Sequence, residues 1–525
     1  MNDYLKYWTG SKSINPPECQ NSGFPIRCYF DNDSDELINF RAENGKVNLE
    51  VYRSMVKSLK TMGYNAIDIH DQLGRAEFYL WDSYKKYWDY QPDINHIDKL
   101  IDIIHEEGML VQIPMYLGWA FHPLNEQHEC WFTHKETWID TWKYYMDSPL
   151  GKGDLFLLRP RSPIYDVKYR CQCEKCIEAG TGLIMTQVFD SIEKIIRSKK
   201  PKAKLICDLY AEGLELFKDR TFTVSSNWLL LYADNGFGKL VINESGADKS
   251  YKKGIYLHAG FWLNHTVMDP HLAPLAESIK KAAELDMTDY ILVNGQSFKN
   301  FILPLEAIMR MCDEGEKYSN ESFLSDWISR VLNIKNQETV IKIIDYMNNL
   351  AELHLDMAVR PAYLSPDDDV DRGFQANMIQ VLYPLIYQLN KKNNPDFKLH
   401  DESFTTRKKE VAWTYNKACE LHKECKELYS RVILIEDSIL DITSKNAFND
   451  QFTFPMGLLT KELEMITVLF EAIDGKKTMD ETIKCLQEFY ELAVKGSSLL
   501  KFTSWTHPEN SRMHHPIPEL SELLI

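Results

Sequence analysis

The feature that most constrains this chain is an alternation of short apolar runs with amphipathic helical periods, from about residue 25 to residue 312. Short apolar runs are typical of buried strands, and apolar residues spaced three and four apart form one face of a helix. Strands that are separated by helices pair in parallel through crossover connections. Because eight such strand–helix units close on themselves, the pattern predicts a (β/α)8 barrel, the TIM-barrel fold of the α/β class.

Eight strands can be placed within this region. The rival architecture is an open doubly wound sheet, which normally carries a glycine-rich phosphate-binding turn after its first strand, and this sequence has none there. The helix after the second strand places Ile97, Leu100 and Ile104 on one face, and Gly108 is the expected residue just beyond its end. The predicted strands cover residues 26–30, 66–69, 110–115, 155–158, 204–209, 228–232, 255–257 and 290–293.

The pattern changes at about residue 320, beyond which strand signals fade and long helical periods dominate. We expect an N-terminal extension over residues 1–24, a barrel over 25–318 and an all-helical domain over 319–525, whose apolar surface would support a homodimer. Two capping boxes, Thr133 with Glu136 and Thr478 with Glu481, predict helix starts in the two parts. The predicted C-terminal helices lie near residues 322–333, 337–357, 374–391, 405–440, 455–472 and 480–500.

Charge and composition exclude several classes of protein. The 525 residues carry 60 basic and 77 acidic side chains, a net charge of −17, whereas nucleic-acid binding needs a basic surface. Residues 1–8 lack the basic and apolar pattern of a signal peptide, and no apolar run is long enough to cross a membrane. We therefore expect a cytoplasmic protein that binds neither nucleic acid nor membranes and keeps its 11 cysteines reduced.

Polar side chains follow most of the predicted strands at the point where each strand ends. The interior of a barrel is packed with apolar side chains, so polar residues at these ends need a reason. Converging carboxylates suit glycoside hydrolysis, in which one protonates the leaving group while the other activates water or attacks. The residues concerned are Asp31, Asp33, His70, Asp71, Arg159, Arg161, Glu212, Asp234, Asn235, His258 and Asn294. Nearby aromatic residues that would stack on sugar rings are Tyr116, Trp119, Tyr165, Tyr210, Phe261 and Trp262.

Each of these residues also has a structural interpretation. An aspartate after a strand often caps a helix or forms a turn. A single histidine such as His258 is equally consistent with a hydrogen-bonded structural role, and Arg159 or Arg161 with a solvated loop charge. The functional interpretation rests on the coincidence of polar residues at many strand ends.

Three cysteines form a C-x-C-x-x-C cluster at Cys171, Cys173 and Cys176. Thiolates at this spacing can share a zinc ion, but a structural zinc site needs four ligands, and no obvious fourth lies close in sequence. The alternative is three free cysteines in a loop, and we expect no cofactor. The residues that would have to supply a fourth ligand through space are Cys130, His128 or Cys207.

Two segments at the ends of the fifth and sixth predicted strands carry a distinctive order of residues. Residues 209–212 read Leu-Tyr-Ala-Glu, and residues 231–238 read Leu-Tyr-Ala-Asp-Asn-Gly-Phe-Gly. They resemble glycoside hydrolase family 115, the α-glucuronidases, which has Leu-Tyr-Lys-Glu and then Trp-Ser-Asp-Asp-Asn-Trp-Gly at closely similar spacing. The resemblance covers nearly the whole chain, because further segments agree in order and spacing. These segments are residues 254–258, 293–304, 381–384 and 503–512.

The resemblance implies an exo-acting enzyme that removes a terminal glucuronic acid, or its 4-O-methyl form, from a xylan-type or related oligosaccharide with inversion. By position, Glu212 would be the general acid and Asp166 its partner carboxylate, with Asp71 as a rival base. Arg161 would pair with the uronate carboxylate through its guanidinium fork, and Asn235 would position substrate or water. The other residues expected to bind substrate are Asp31, Tyr210, Asp234, His258, Trp262, Asn294 and Lys299.

The sequence departs from the family pattern at several positions and leaves two other functions open. One extra residue lies between Arg161 and Asp166, and the family's strand-eight aspartate and glutamate are Ser297 and Ile302 here. One alternative is an exo-glycosidase of the same fold that acts on a different terminal sugar. The other is a carbohydrate-binding protein that has lost catalysis, which the changes at Ser297 and Ile302 keep open.

Overall fold

Eight parallel strands, paired in sequence order, form a closed barrel. The computed structural model describes residues 23–30, 49–70, 73, 94–164, 168–236, 238–240, 242, 250–260, 270–295, 298, 301–357, 385–396 and 415–499. The predicted barrel is confirmed, with strand bounds close to the predicted ones. The strands are β1 Arg27–Phe30, β2 Ala66–Asp68, β3 Leu110–Pro114, β4 Leu155–Leu158, β5 Lys204–Leu209, β6 Trp228–Ala233, β7 Lys253–His258 and β8 Tyr290–Asn294.

The strands are buried on both faces, which explains why they read as continuous apolar runs rather than as alternating ones. All four residues of β4 are buried, and Leu157 pairs with Pro114 of β3 and with Ile206 of β5. The barrel closes where β1 pairs with β8, in a register that sets Phe30 beside Asn294. Because all eight strands are parallel, their carboxyl ends meet at one end of the barrel.

Helices connect the strands, with one exception to the regular repeat that the sequence predicts. The connection from β6 to β7 contains no helix among its described residues, which are 234–236, 238–240, 242 and 250–252. The helix after β5 is short, with seven residues. The barrel helices are α1 Leu49–Met62, α2 Ile94–Glu106, α3 Trp131–Asp147, α4 Glu174–Lys199, α5 Glu212–Lys218, α6 Leu272–Glu284 and α7 Ile302–Glu314.

Helix α2 shows how the local sequence determines an element. Ile97, Leu100 and Ile104 recur three and four residues apart, and all are fully buried, as predicted. Gly108 follows the helix with a φ of +75°, and its N–H donates to the carbonyl oxygen of His105 at 2.8 Å. Since residues with a side chain rarely adopt this left-handed conformation, the glycine ends the helix and lets the chain turn into β3.

The start of α3 differs from the predicted one. The sequence predicts a capping box between Thr133 and Glu136, whereas the helix begins at Trp131 with Cys130 as its N-cap residue. The Trp131 side chain is buried, and its backbone N–H donates to the Tyr169 hydroxyl at 3.0 Å. Because these tertiary contacts fix the helix start earlier in the chain, the predicted capping box is wrong.

Beyond the barrel, the described residues form helices and turns and contain no strand, as predicted. Residues 385–393 are also helical, and the predicted segments 374–384 and 405–414 lie outside the described residues. None of the described helices is both long and apolar enough to cross a membrane. The C-terminal helices are α8 Asn320–Val331, α9 Gln337–Met357, α10 Tyr415–Ser438, α11 Ile442–Phe448, α12 Phe454–Ile473 and α13 Met479–Leu499.

The second predicted capping box is present at the start of α13. The Thr478 N–H donates to Glu481 Oε2 at 2.9 Å, and the Glu481 N–H donates to Thr478 Oγ1 at 3.2 Å. An ion pair between Arg330 and Glu306 joins α8 to the barrel helix α7. The domain boundary at residues 318–319 stays a prediction.

Candidate active site

The polar residues at the carboxyl end of the barrel continue the pattern in which successive side chains of a strand point alternately into and out of the barrel. Alternate residues of a strand face the same side, and Leu155, Leu157 and Ile206 belong to the apolar core inside the barrel. The same alternation continues to Arg159 after β4 and to Asp208 in β5. Both side chains are buried, so the apolar core gives way to a polar layer at this end of the barrel.

A buried ion pair joins β4 to β5. Arg159 Nε donates to Asp208 Oδ2 at 2.6 Å, and the side chains are 5% and 0% exposed. The guanidinium carbon of Arg159 lies 4.5 Å from the ring centroid of Tyr210. Because a charge that is removed from water needs a partner, this pair holds both side chains in fixed positions.

A second ion pair joins Arg161 to Glu212. Arg161 Nε donates to Glu212 Oε1 at 2.9 Å, and the side chains are 6% and 18% exposed, so Glu212 is the most exposed of the four charged groups. The guanidinium carbon of Arg161 lies 5.6 Å from the ring of Tyr210, which therefore contacts both arginines. A guanidinium carries five N–H donors, so it can hold one carboxylate and recognise another.

The backbone before Glu212 is strained. Ala211 has φ 49° and ψ −125°, a conformation that residues with a side chain rarely adopt. This residue makes the turn from β5 into α5, so that Glu212 is the first residue of that helix. Strain of this kind persists only where the surrounding structure enforces it, and it is frequent at functional sites.

His258 and Asp234 form a histidine–carboxylate pair at the ends of β7 and β6. His258 Nδ1 and Asp234 Oδ1 lie 2.6 Å apart, and the side chains are 1% and 0% exposed. The Asp234 carboxylate also accepts the backbone N–H of His258 at 2.9 Å and that of Gly236 at 2.8 Å. Because the carboxylate accepts a hydrogen bond from Nδ1–H, the pair fixes the tautomer of the neutral imidazole and makes Nε2 its acceptor nitrogen.

Tyr256 connects these two parts of the site. Its ring stacks on His258 at a centroid distance of 4.8 Å and lies 6.1 Å from the ring of Tyr210. Its hydroxyl accepts a hydrogen bond from Asn294 Nδ2 at 2.8 Å. Burial raises the pKa of Tyr256 well above its usual range, so the phenol stays neutral and remains a hydrogen-bond donor.

The loop after β6 is a tight turn that holds Asn235. The Asn235 N–H donates to the Lys239 carbonyl at 3.0 Å, and Asn235 Oδ1 accepts the Lys239 N–H at 3.2 Å. Gly238 has a φ of +76°, and a Cβ atom there would lie 2.7 Å from Leu275 Cδ2. The turn therefore requires glycine at this position, and it keeps Asn235 buried directly after Asp234.

The structure brings seven of the predicted site residues together at the ends of β4 to β8. Ion pairs, ring contacts and hydrogen bonds connect six of them, directly or through Tyr256. The seventh, Asn235, follows Asp234 directly in the chain. The seven are Arg161, Tyr210, Glu212, Asp234, Asn235, His258 and Asn294. The predicted site residues Asp31, Asp71, Asp166, Trp262 and Lys299 lie outside the described residues.

Asp208 and Tyr256 also belong to the site, although reasoning from strand ends did not find them. Asp208 lies within a strand of otherwise apolar residues from Leu205 to Leu209. Because a buried charge must be paired, an aspartate inside such an apolar strand indicates a cationic partner nearby. This was the signal in the sequence that could have identified Asp208. Arg159 and Arg161 are not solvated loop charges, because each is 5% exposed.

Comparisons with known proteins agree with this architecture. The sequence profile of glycosyl hydrolase family 115 matches residues 23–355. Among solved structures, the chain is similar to BtGH115A, a family GH115 4-O-methyl-α-glucuronidase with specificity for decorated arabinogalactans. The TM-score is 0.59 at 12% sequence identity, over 96% of this chain and 62% of that protein. No curated protein matches the chain.

A second similar structure is the family 89 glycoside hydrolase CpGH89 from Clostridium perfringens, in complex with its substrate GlcNAc-α-1,4-galactose. The TM-score is 0.52 at 13% identity, over 95% of this chain and 58% of that protein. At this level of identity both likenesses show a shared fold. The chain spans about three fifths of the length of either protein, 62% and 58%.

Proposed function

Because this chain belongs to glycosyl hydrolase family 115, we propose that it removes a terminal glucuronic acid, or its 4-O-methyl form, from a xylan-type or related oligosaccharide with inversion. The observation that carries the proposal is the two buried arginines at the site, of which Arg161 pairs with Glu212 and Arg159 with Asp208. The name of BtGH115A, a 4-O-methyl-α-glucuronidase, supports the same sugar.

The arginines recognise the carboxylate of the sugar. A uronate carries a negative charge that a guanidinium recognises through two parallel hydrogen bonds. Arg159 forms a buried ion pair with Asp208, whereas Arg161 pairs with Glu212, which is more exposed than Asp208. Arg161 is therefore the residue that meets the uronate, and Arg159 supports it through the shared contact with Tyr210.

Glu212 acts as the general acid that protonates the leaving oxygen. A uronate carboxylate bound at Arg161 brings a second negative charge close to Glu212. With a side chain that is 18% exposed, Glu212 is the most accessible of the four charged groups, so its carboxyl is the one suited to meet the glycosidic oxygen of a sugar held at Arg161.

The second carboxylate activates water on the opposite face of the sugar. We assign this role to Asp166, with Asp71 as the rival, because both follow strands that end at the same side of the barrel. In an inverting glycosidase the two carboxyl groups lie about 6.5–9.5 Å apart, which leaves room for the water.

The remaining groups orient the sugar. The Nε2 atom of His258 and the amides of Asn235 and Asn294 are suited to the sugar hydroxyls, and the ring of Tyr210 offers an apolar face. Asp234 contacts three groups of the protein itself, so we assign it to position His258.

A pair of matched substrates tests the proposal. One is a xylo-oligosaccharide capped with α-linked 4-O-methylglucuronate, and the other is its carboxyl-reduced form. We expect release from the first and a much lower rate on the second. Arg161→Gln should lower kcat/KM on the uronide by about 30-fold or more, equivalent to roughly 2 kcal/mol, with a smaller loss on the reduced substrate.

A matched control for this variant is Arg53→Gln. Arg53 in the outer helix α1 forms ion pairs with Glu106, the last residue of α2, and with Glu107 just beyond it, away from the site. The kcat/KM of the Arg53→Gln variant should equal that of the wild-type protein. Equal rates of the wild-type protein on the two substrates, or no release from any uronide, would contradict the proposed function.

One observation favours a second candidate, a carbohydrate-binding protein without catalysis. Ile302 stands where the family has a glutamate of strand eight, and it is 0% exposed in the core at the start of α7. This candidate predicts that uronides raise the melting temperature by mass action but are never cleaved. An exo-glycosidase for another terminal sugar would cleave the carboxyl-reduced substrate or a different glycan instead.

Two further expectations stay predictions. The enzyme would act on imported oligosaccharides in the cytoplasm. A homodimer would use the helical part, where several large apolar side chains are exposed near the junction of α10 and α11. These are Leu434, Leu440 and Ile442, which are 70%, 97% and 66% exposed.

A further inference from the structure

A cluster of cysteines lies between the loops that follow β3 and β4. Cys130 is the residue before α3, and Cys171, Cys173 and Cys176 lie around the start of α4. The four Sγ atoms all lie within 4.8 Å of one another. We call these residues the four-cysteine cluster, in which Cys130 supplies the fourth sulfur that sequence spacing alone does not identify.

Two of the distances between the sulfur atoms match the edges of a tetrahedral metal site. Zinc–sulfur bonds of about 2.3 Å give a tetrahedron whose edges are about 3.8 Å long. Cys130 Sγ lies 3.6 Å from Cys173 Sγ and 3.8 Å from Cys176 Sγ. All four residues are free thiols rather than members of a disulfide. Four separate thiols that converge in this way form a closed ligand set of the kind that structural zinc uses.

Groups around the cluster can orient its sulfur atoms as metal ligands. Cys130 and Cys173 are the N-cap residues of α3 and α4, and the partial positive charge of a helix N-terminus stabilises an anion there. The Thr133 hydroxyl donates to Cys130 Sγ at 3.2 Å, and the Tyr169 hydroxyl lies 3.2 Å from Cys176 Sγ. Hydrogen bonds of this kind orient the ligands of metal sites.

We propose that the four-cysteine cluster binds one zinc ion, which holds the loop after β4 against the loop after β3. Soft thiolates in a tetrahedron select zinc or iron, and a closed set of four gives zinc a structural role. Two hydrogen bonds join the same loops, from Arg170 N–H to Glu129 Oε1 at 2.9 Å and from Leu117 N–H to the Pro163 carbonyl at 2.6 Å. The zinc therefore fixes the far end of the segment that begins at Arg161.

Metal analysis of the full chain tests this proposal directly. The protein is produced with zinc in the medium, purified under reducing conditions and analysed by inductively coupled plasma mass spectrometry. We expect one zinc ion per chain. Replacement by cobalt(II) should produce thiolate-to-cobalt charge-transfer absorption and the intense visible bands of tetrahedral cobalt. Substoichiometric zinc without those cobalt bands, or iron in place of zinc, would overturn the proposal.

A single substitution assigns the metal to the cluster. Cys173→Ser changes the exposed member, so its effect on folding should be the smallest of the four. Zinc affinity, measured by competition with a chelator, should fall by at least about tenfold. Excess chelator should lower the melting temperature of the wild-type protein by more than that of the variant.

The matched control is Cys419→Ser, which changes a half-buried cysteine in α10 outside the cluster. This variant should keep one zinc ion and the wild-type response to chelator. Wild-type zinc affinity in Cys173→Ser would show that the cluster is not the binding site. If Cys173→Ser fails to fold, the zinc content and cobalt spectrum of the wild-type protein still decide the question.

Discussion

Glu212 is the residue on which the proposed chemistry depends most, and it is held from two sides. The strained turn at Ala211 fixes its backbone, and Arg161 fixes its carboxylate. A catalytic acid needs this kind of support because its proton must reach the leaving oxygen in one defined geometry. In the proposed mechanism, the surrounding residues thus contribute to catalysis through the position of a single carboxylate.

Glu212→Gln is expected to abolish proton donation and to preserve the shape of the site. The amide cannot act as a general acid, so kcat should fall by about 10²–10⁴-fold. Substrate should still bind, because the amide keeps a hydrogen-bond acceptor for Arg161. Steady-state kinetics give the loss in kcat, and the rise in melting temperature with added uronide gives the binding.

The control for this variant is Glu215→Gln in the same short helix. Glu215 is exposed and pairs with Lys218, so its replacement should leave kcat unchanged. A Glu212→Gln protein with the wild-type kcat would remove Glu212 from the role of general acid.

At this scale the sequence predicted the polar residues at strand ends and missed two residues inside strands, Asp208 and Tyr256. Glu212 and Asn235 follow strand ends and His258 is the last residue of β7, and a polar residue stands out at these positions. Asp208 was hidden because it lies within an apolar run and finds its partner, Arg159, on the neighbouring strand. Such a pair depends on the register between strands, which a single sequence does not show.

At the scale of elements, the strands were the most predictable part of the chain. Parallel strands buried on both faces read as apolar runs, so all eight were found. The start of α3 was not predicted correctly. It depends on the contact of Trp131 with Tyr169, and these two residues lie 38 positions apart in the chain. The connection from β6 to β7 also broke the repeat, because its described part forms a tight turn around Asn235 instead of a helix.

The helical part contains an element with its own chemistry, a π-helical turn over Asn449–Thr453 between α11 and α12. Turns of this type are rare and often occur at functional sites. Asp450 in this turn is 8% exposed, and burial raises its pKa to about 8. Burial also raises the pKa of Glu462 in α12 well above its usual range.

Asp450→Asn should make stability less dependent on pH. An unfolded chain releases the Asp450 proton near the ordinary pKa of 3.8, whereas the folded protein holds it up to about 8. Between these values the folded state binds more protons than the unfolded state, so the free energy of unfolding falls as pH rises through this window. In the variant, the free energy of unfolding should fall less over the same range of pH, and the urea midpoint measured across this range tests this. Glu462, whose pKa is also raised by burial, accounts for the pH dependence that remains.

The control is Asp437→Asn, since Asp437 pairs with Lys445 at the surface and its carboxylate is 68% exposed. Its urea midpoint should follow the wild-type dependence on pH. An unchanged dependence in Asp450→Asn would mean that Asp450 does not hold its proton in the folded protein.

At the scale of the whole molecule, a net charge of −17 opposes the approach of an anionic sugar. Charges more than about 8 Å apart are largely screened at physiological salt, so the distant acidic surface has little effect at the site. Arg159 and Arg161 act at contact distance and are shielded from solvent. Composition therefore could not indicate the anionic substrate that we propose, because that proposal depends on where two arginines lie in the fold.

The configuration of the sugar at the moment of release tests the proposed chemistry most directly. Proton NMR can follow the anomeric signals of glucuronate during the first turnovers on an α-linked uronide, before mutarotation mixes the anomers. An acid at Glu212 and a water-activating base on the opposite face predict that the β-anomer appears first. First appearance of the α-anomer would mean retention and would contradict this arrangement, and no release of uronate at all would contradict the proposed function itself.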